Sequence, residues 1–448
     1  MLLVSTQFAA LAASQCKVLG MPGLPRVVLP HPIGGTPLDS VLAKVDDAFE
    51  QIVAGLTTPL PAEEAADAAD AAEAEAQPGL DIAGEDPFMQ VQEEFVARGW
   101  GDGLPLVPPT ETRVRQMIAG SGCPGGHVVG AVMPRMGLAS IEKIAVNAVM
   151  AGCRPMHMPL LVTAVQAMID PDFFLKSIQA TTHPVSPLMI VSGPLAQSLG
   201  VHGGSGMYGP GPWSNGVLGR ALRLILINIG GGRPVEVDRS SQGSPAKYSY
   251  CIAENEAASP WPPLRADHGF GDEVSTVMLY AGESPHNIND AESTSAGSLI
   301  AAIAQSMAQI GQNNVKGTSQ LLLVLSPEHA ATIAAGGYTK DDVRRAIYEE
   351  ARIPLSRFPA IHVERRLARF APKRYKDRPL STMVTLTSCW EDVIVMVAGG
   401  PGKHSSYLPS FGAVRSQIRP VLKPDGEPWL AQDVQAQDTR FHPDKEQT

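Results

Sequence analysis

Short, strongly apolar runs alternate with helix-like segments over most of this 448-residue chain. Residues 320–325 and Val393–Val397 are almost wholly apolar, which is typical of strands buried on both faces. Segments with apolar residues at helical spacing, such as residues 140–151, lie between the strands. This alternation predicts an α/β fold, with a mixed, layered α/β main domain.

Composition divides the chain into four parts. Residues 1–58 suggest helix, strand and helix, and they predict a partial α/β unit because one strand with two helices cannot bury both faces of a sheet. Residues 59–86 are rich in alanine and acidic residues without an apolar face, which predicts a linker. Residues 87–420 form the predicted main catalytic or binding domain, and residues 421–448 a polar C-terminal tail.

Charge, hydropathy and cysteine spacing narrow the functional class. The formal net charge is -10, and without a basic stripe we expect no nucleic-acid partner. No stretch approaches ~18 uninterrupted apolar residues, so we expect no membrane partner. The five cysteines are widely spaced and form no CxxC motif, which favours a reducing cytoplasm. The apolar N-terminus has no Lys or Arg before it, so we interpret it as a helix rather than a signal peptide.

A glycine-rich turn directly follows the strand Val393–Val397. Its sequence, Ala398-Gly-Gly-Pro-Gly-Lys-His-Ser-Ser406, is of a kind that exposes backbone N–H groups to an anion. The turn is not a Walker A loop, because valine replaces the first required glycine and histidine replaces the Ser/Thr. Binding of a magnesium nucleotide is therefore disfavoured, and a tight turn with a solvated lysine is the structural alternative.

A second glycine-rich loop, residues 202–216, leads into a predicted helix. Glycines keep side chains away from a bound molecule, and the helix N-terminus offers free N–H groups. We expect the two loops to converge on one small anionic molecule, although a purely structural Gly/Pro loop is the alternative. The predicted substrate-binding residues are His202, Ser205, Tyr208, Asn215, Gly400, Lys403 and His404.

Four further residues are candidate catalytic groups. His183 lies in a loop just before a predicted strand, and Glu254 is one of two carboxylates that flank Asn255, so both suit proton transfer. Cys153, at the exit of a predicted helix, is a candidate nucleophile, and Lys143 lies on the polar face of that helix. Each has a structural alternative as a surface side chain or a buried, inert one. No spacing of His and Cys demands a metal, and the sequence does not identify a cofactor.

The stretch Leu19-Gly-Met-Pro-Gly-Leu-Pro-Arg-Val-Val-Leu-Pro-His-Pro-Ile-Gly-Gly35 resembles the distal half of the UGSC-motif (seleno)protein domain, over residues 4–56. Residues 88–412 are similar to an uncharacterised bacterial domain of the same proteins. The family is named for a selenocysteine- or cysteine-Gly-Ser-Cys motif, which this chain lacks. The resemblance implies thiol or selenol redox chemistry, with the redox centre supplied upstream, by a partner subunit, or absent.

Three functions follow from these observations. The first is an enzyme that acts on a small anionic organic substrate, by thiol- or selenol-linked redox or by carbon–heteroatom bond chemistry. The second is a non-redox lyase or hydrolase that uses His, Glu and Lys as acid–base groups. The third is a non-catalytic subunit that completes the α/β domain of a partner. We also expect the chain to form a homo-oligomer.

Overall fold

A computed structural model describes residues 1–18, 21, 23–58, 82, 84–316 and 319–435. Most of the predicted linker (59–81 and 83) and residues 436–448 of the predicted tail lie outside the described residues. Helices combine with parallel and mixed open sheets, and this confirms the predicted mixed α/β fold.

The N-terminal unit contains two strands, whereas the sequence predicted one. The first strand pairs in parallel with the second, and a helix connects them. The prediction missed this strand because an apolar run of four residues has no period of its own, and pairing with a distant strand stabilises it. Val27, Leu29 and Ala48 form a small core beneath the sheet. The elements are β1 (Leu2–Ser5), α1 (Ala9–Val18), β2 (Arg26–Leu29), α2 (Leu38–Asp47) and α3 (Phe49–Thr57).

Two four-stranded sheets form the centre of the main domain. The first sheet has the strand order β14-β7-β5-β6 and the second has the order β12-β9-β13-β8. Two small antiparallel pairs, β3–β4 and β10–β11, lie outside them. The strands are β3 (Val128–Val132), β4 (Gly137–Ser140), β5 (Ser186–Ser192), β6 (Cys251–Ala253), β7 (Thr276–Gly282), β8 (His286–Asn289), β9 (Leu321–Leu325), β10 (Arg352–Pro354), β11 (Met383–Thr385), β12 (Val393–Val397), β13 (His404–Leu408) and β14 (Gln417–Pro420).

Helices cover the outer face of each sheet. None of the described helices is by itself long and apolar enough to cross a membrane, and one sharply bent pair, Pro155–Met168 with Pro171–Gln179, reaches that composition only together. The helices are α4 (Pro87–Ala97), α5 (Glu111–Ser121), α6 (Ile141–Ala151), α7 (Met158–Met168), α8 (Leu175–Gln179), α9 (Pro194–Ser198), α10 (Trp213–Asn228), α11 (Ala296–Met307), α12 (Pro327–Ala335), α13 (Lys340–Glu350), α14 (Ala360–His362), α15 (Ala368–Phe370) and α16 (Pro372–Tyr375).

Each central strand packs one face against the other sheet and the opposite face against helices, and this defines the layers of the main domain. In β5, Leu188 and Ile190 pack against residues of the second sheet, such as Val324. The alternate residues Met189 and Val191 pack in the cluster that contains α6, α7 and α10. The strands of the second sheet likewise turn their other faces to α11, α12 and α13. The main domain is therefore a four-layer arrangement of helices, sheet, sheet and helices, which explains why strands such as β9 and β12 are apolar at every position.

The two sheets share one strand plan although the sequence shows no repeat. In each, a parallel pair (β5–β6 or β9–β12) lies beside an antiparallel strand (β7 or β13). The fourth strands are exchanged: β8 follows β7 in the chain but pairs with β13, and β14 follows β13 but pairs with β7. Gly282 and Ser410 form an antiparallel bridge at the crossing. The exchange ties the two sheets together through their backbones.

The predicted tail begins too early at residue 421. Val421, Trp429 and Val434 are buried in the core that lies beneath the first sheet. Because these apolar residues are separated by polar ones, the local composition looked like that of a tail. The chain packs onto the main domain at least as far as Val434.

Two glycines of α10 provide a matched test of this packing. A Cβ at Gly219 would lie 2.4 Å from the backbone nitrogen of Tyr250, whereas at Gly216 it would meet nothing within 4 Å. We expect Gly219→Ala to lower the free energy of unfolding by about 1–3 kcal/mol through overpacking. We expect Gly216→Ala to raise it by roughly 0.5–1 kcal/mol, because alanine favours the helix. Chemical denaturation of both variants measures this, and equal effects would contradict the assigned contact of α10 with the segment that leads into β6.

Candidate functional site

A cavity of about 670 Å³ opens at the carboxyl ends of β5 and β6. Ligand sites of open α/β sheets lie at this edge of the strands. Gly193 follows β5 and Glu254 follows β6, and both line the cavity. Residues 200–204, which include the start of the glycine-rich loop 202–216, form a further part of the wall. We therefore take this cavity, here called the β5–β6 cleft, as the candidate active site.

The two glycine-rich loops meet beside the cleft. The Gly399 N–H donates to the Gly203 carbonyl at 2.7 Å, and the Asn255 side chain donates to the Gly399 carbonyl at 3.2 Å. Ser205 packs so closely on Gly400 that a Cβ there would lie 1.6 Å from its hydroxyl. Since the Gly399 N–H is consumed by this contact, the meeting of the loops does not leave that amide free for an anion.

Asn215 fixes the conformation of the first loop. Its side-chain oxygen accepts from the His202 N–H at 2.7 Å, and its amide donates to the carbonyls of His202 and Met207 at 2.8 and 3.2 Å. The residue is buried, with 4% of its surface exposed. The hydrogen bonds of Asn215 thus serve the loop, and the predicted substrate contact stays a prediction.

His202 and Tyr208 differ in their relation to the cleft. The His202 side chain lines it, and its Nε2 lies 2.9 Å from the Ser205 carbonyl. In the neutral form, a proton on Nε2 leaves Nδ1 as a hydrogen-bond acceptor. The Tyr208 ring instead packs on Tyr250, and its hydroxyl contacts Ser406 of β13.

Lys403 and His404 contact the segment around β8. The Lys403 ammonium donates to the Ala291 carbonyl at 2.7 Å. The His404 Nδ1 lies 3.1 Å from the side-chain oxygen of Asn287. Neither side chain lines the cleft, because β13 carries them toward its neighbour β8. The sequence placed both residues with the first loop because it does not show how the second loop exits into β13.

Glu254 is the group in the cleft whose protonation is most altered. Its carboxylate accepts from the Ser192 hydroxyl at 2.9 Å and from the Leu264 N–H at 2.8 Å. The residue is only 6% exposed. Burial raises the pKa of Glu254 to about 7, and nearby Lys340 together with these two hydrogen bonds limits the rise. The carboxyl group therefore changes charge near neutral pH, as an acid–base group must.

Glu256 and Arg265 form the charged pair of the cleft. Arg265 donates to the two Glu256 oxygens at 3.2 and 3.0 Å, and the Gly193 N–H donates to Glu256 Oε1 at 2.6 Å. Arg265 thus neutralises the charge of Glu256, and Glu256 holds the turn after β5 in place through its bond to Gly193. Sequence reasoning missed Arg265, because one arginine in an irregular segment gives no local signal.

His183 lies at the opposite end of the first sheet from Glu254. It precedes β5, and the seven residues of that strand span about 20 Å. Its Nε2 lies 2.8 Å from Glu283 Oε1, and its Nδ1 accepts from the Val185 N–H at 3.2 Å. Both ring nitrogens are occupied, so His183 and Glu254 do not form one acid–base pair.

Cys153 and Lys143 lie outside the cleft as well. Cys153 packs beside α10, with Sγ 3.4 Å from the Val217 carbonyl. Burial raises the pKa of the Cys153 thiol far above its usual range, and the nearby Cys251 adds to this effect. A thiol in this setting is a weak nucleophile. Lys143 is exposed on α6.

Within the described residues, no three His, Cys, Asp or Glu side chains are grouped so that they could hold a metal ion.

Comparison with known proteins bears on the N-terminal unit. Residues 1–58 match the model of the UGSC family. This confirms the resemblance for that part of the chain, here called the UGSC unit. The match does not reach the β5–β6 cleft. No curated protein and no solved structure matches the chain.

The raised pKa of Glu254 predicts a pH dependence of stability. The folded state keeps the proton up to about pH 7, whereas the unfolded chain releases it near the usual value of 4.5. Stability from this group is therefore present at low pH and is lost as the pH rises through this window. Relative to Glu254→Gln, the wild type should lose about 2–3 kcal/mol between pH 5 and 7.5.

Urea unfolding of both proteins at the two pH values measures this difference. Glu349→Gln, on the exposed face of α13, is the control and should follow the wild type. If Glu254→Gln also runs parallel to the wild type, the assigned burial of the carboxyl group is wrong.

Proposed function

We propose that this protein is an enzyme that performs acid–base chemistry on a small organic molecule in the β5–β6 cleft. Glu254 is the proposed proton carrier. One observation carries the proposal: a buried carboxyl group with a pKa near 7 lines a cavity at the carboxyl ends of parallel strands. Of the functions expected from the sequence, the non-redox lyase or hydrolase fits this geometry best.

The surroundings of Glu254 suit proton transfer in both directions. Ser192 and the Leu264 N–H both donate to the carboxylate, which favours the charged form. Burial favours the neutral form and outweighs these hydrogen bonds, so the charged and neutral forms are about equally populated near pH 7. The Glu256–Arg265 pair is a positioning element, because it fixes the turn at Gly193, next to the Ser192 that hydrogen-bonds Glu254.

Thiol or selenol redox chemistry has less support from this chain. Burial raises the pKa values of Cys153 and Cys251 strongly, so neither side chain is readily present as a thiolate. These two thiols therefore give a redox role no support. The cysteine pattern still leads us to place the protein in the cytoplasm.

Loss of the Glu254 carboxyl group should abolish turnover. We expect Glu254→Gln to reduce the consumption of any metabolite that the wild type consumes by at least ~100-fold. Incubation with a small-molecule extract, followed by mass spectrometry, identifies such a metabolite. The pH profile of kcat/KM should then bend near pH 7.

Glu349→Gln is the control for this experiment and should retain wild-type turnover. An unchanged rate in Glu254→Gln would contradict the assignment of the proton carrier. A wild-type protein that consumes nothing would contradict the proposal that the chain is an enzyme.

A second candidate function is assembly with a partner through the UGSC unit. Its sheet has only two strands. No residue of α2 or α3 is fully buried. Leu38, Phe49 and Leu56 are 64%, 58% and 67% exposed. Large apolar side chains that form an exposed patch mark interaction surfaces. A second copy of this chain is the partner that we propose for this surface.

This candidate predicts an oligomer in solution. Light scattering should give a mass above that of one 47.4 kDa chain. The triple variant Leu38→Ser/Phe49→Ser/Leu56→Ser should be monomeric while keeping the wild-type circular dichroism spectrum. A wild-type monomer, or a triple variant with unchanged mass, would contradict self-association through α2 and α3.

A further inference from the structure

A second cavity, of about 1090 Å³, lies between the UGSC unit and the main domain. Gln7 and His31 line it from the UGSC unit, and α10 and residues 234–248 line it from the main domain. Ser5 and Thr6 hold His31, through hydrogen bonds to its ring at 3.1 Å and its backbone N–H at 3.2 Å. We call this cavity the interdomain cavity. Junctions between domains are common places for ligand sites.

The buried charges of the interdomain cavity leave an excess of cations. Arg223 and Lys247 donate to the same oxygen of Asp238, at 3.1 and 2.7 Å. Their side chains are only 7% and 12% exposed, and that of Asp238 is 2% exposed. One carboxylate thus faces two buried cations. Even with this carboxylate present, burial lowers the pKa values of Arg223 and Lys247, so their charges are incompletely compensated.

The other ionisable groups of the lining do not cancel this excess. Asp102 is already held by Arg220, which donates to its two oxygens at 2.7 and 2.9 Å. Arg239 adds a further cation, and its Nε is buried without a hydrogen-bond partner among the described residues. A buried N–H group without a partner is costly, and a ligand oxygen would satisfy it.

Apolar side chains form another part of the lining. Val235 and Tyr248 are 76% and 52% exposed, and Pro234 and Pro245 lie beside them. Val235 has a φ of 70°, a conformation that is strained for a β-branched residue. Such strain concentrates at ligand sites, where surrounding contacts maintain it. The lining therefore offers an apolar surface close to the buried cations.

From this geometry we infer that the interdomain cavity binds a small organic anion with an apolar or aromatic portion. Arg239, Arg223 and Lys247 receive its carboxylate or phosphate, and Val235 with Tyr248 contacts its apolar part. The site lies at the amino ends of β5 and β6, opposite the β5–β6 cleft. It is thus independent of the proton transfer proposed for Glu254.

Calorimetric titration of the full chain tests this inference with four probes. Phenyl phosphate and benzoate carry the two possible anionic groups, benzamide is a neutral analogue, and inorganic phosphate lacks the apolar part. We expect saturable binding of phenyl phosphate or benzoate, and at least ~10-fold weaker binding of benzamide and of inorganic phosphate. The stronger of the two aromatic anions identifies the head group.

Two variants assign the binding to this cavity. Arg239→Gln and Lys247→Met should each weaken binding of the preferred anion at least ~10-fold. Arg357→Gln, at an exposed position outside the cavity, should bind within about twofold of the wild type. Lys247→Met disrupts a buried ion pair and risks misfolding. Arg239→Gln avoids this risk, because Arg239 forms no ion pair among the described residues. If Lys247→Met does not fold, Arg239→Gln alone shows whether the anion binds in this cavity.

The contradicting results are specific. The site would be overturned if the wild type showed no saturable binding of phenyl phosphate or of benzoate. It would also be overturned if Arg239→Gln bound the preferred anion with the same affinity as the wild type. Benzamide binding as tightly as benzoate would overturn the role of the cations. Inorganic phosphate binding as tightly as phenyl phosphate would overturn the role of Val235 and Tyr248.

Discussion

The packing of two sheets face to face is the contact on which the main domain depends. Leu188, Ile190, Leu322 and Val324 lie in the apolar layer between the sheets. Because this layer needs one face of every central strand and the helices need the other, the central strands are mostly apolar, and β9 and β12 are apolar throughout. The charged groups of the β5–β6 pair consequently lie beyond the ends of these strands. Both cavities described above lie at these ends, one at each end of the β5–β6 pair.

The two ends of this pair differ in charge. The carboxyl ends bring together Glu254 and Glu256, with Arg265 as the countercharge. At the amino ends, Arg223 and Lys247 share Asp238. The first arrangement favours a proton carrier and the second favours an anion. The anion site expected from the glycine-rich loops thus has a better basis at the opposite end of the sheet.

The sequence predicts the elements well and their long-range placement poorly. Apolar runs such as Val393–Val397 identify central strands, because burial on both faces leaves a local signature. Glu254 was singled out because it and Glu256 are paired acids that flank Asn255. The exchange of β8 and β14 leaves no such signature, since pairing partners are set by contacts distant in sequence. For the same reason, Lys403 was assigned to the wrong neighbours, and the cation cluster at Arg223 was missed.

The account rests most directly on the protonation of Glu254. Carboxyl carbon NMR of the full chain, with Glu254→Gln to assign the resonance, follows this group through a pH titration. The account predicts a midpoint near pH 7, as burial of the group in the β5–β6 cleft requires. A midpoint close to the usual glutamate value of 4.5 would contradict it, because such a carboxyl group would be solvated and fully charged at neutral pH.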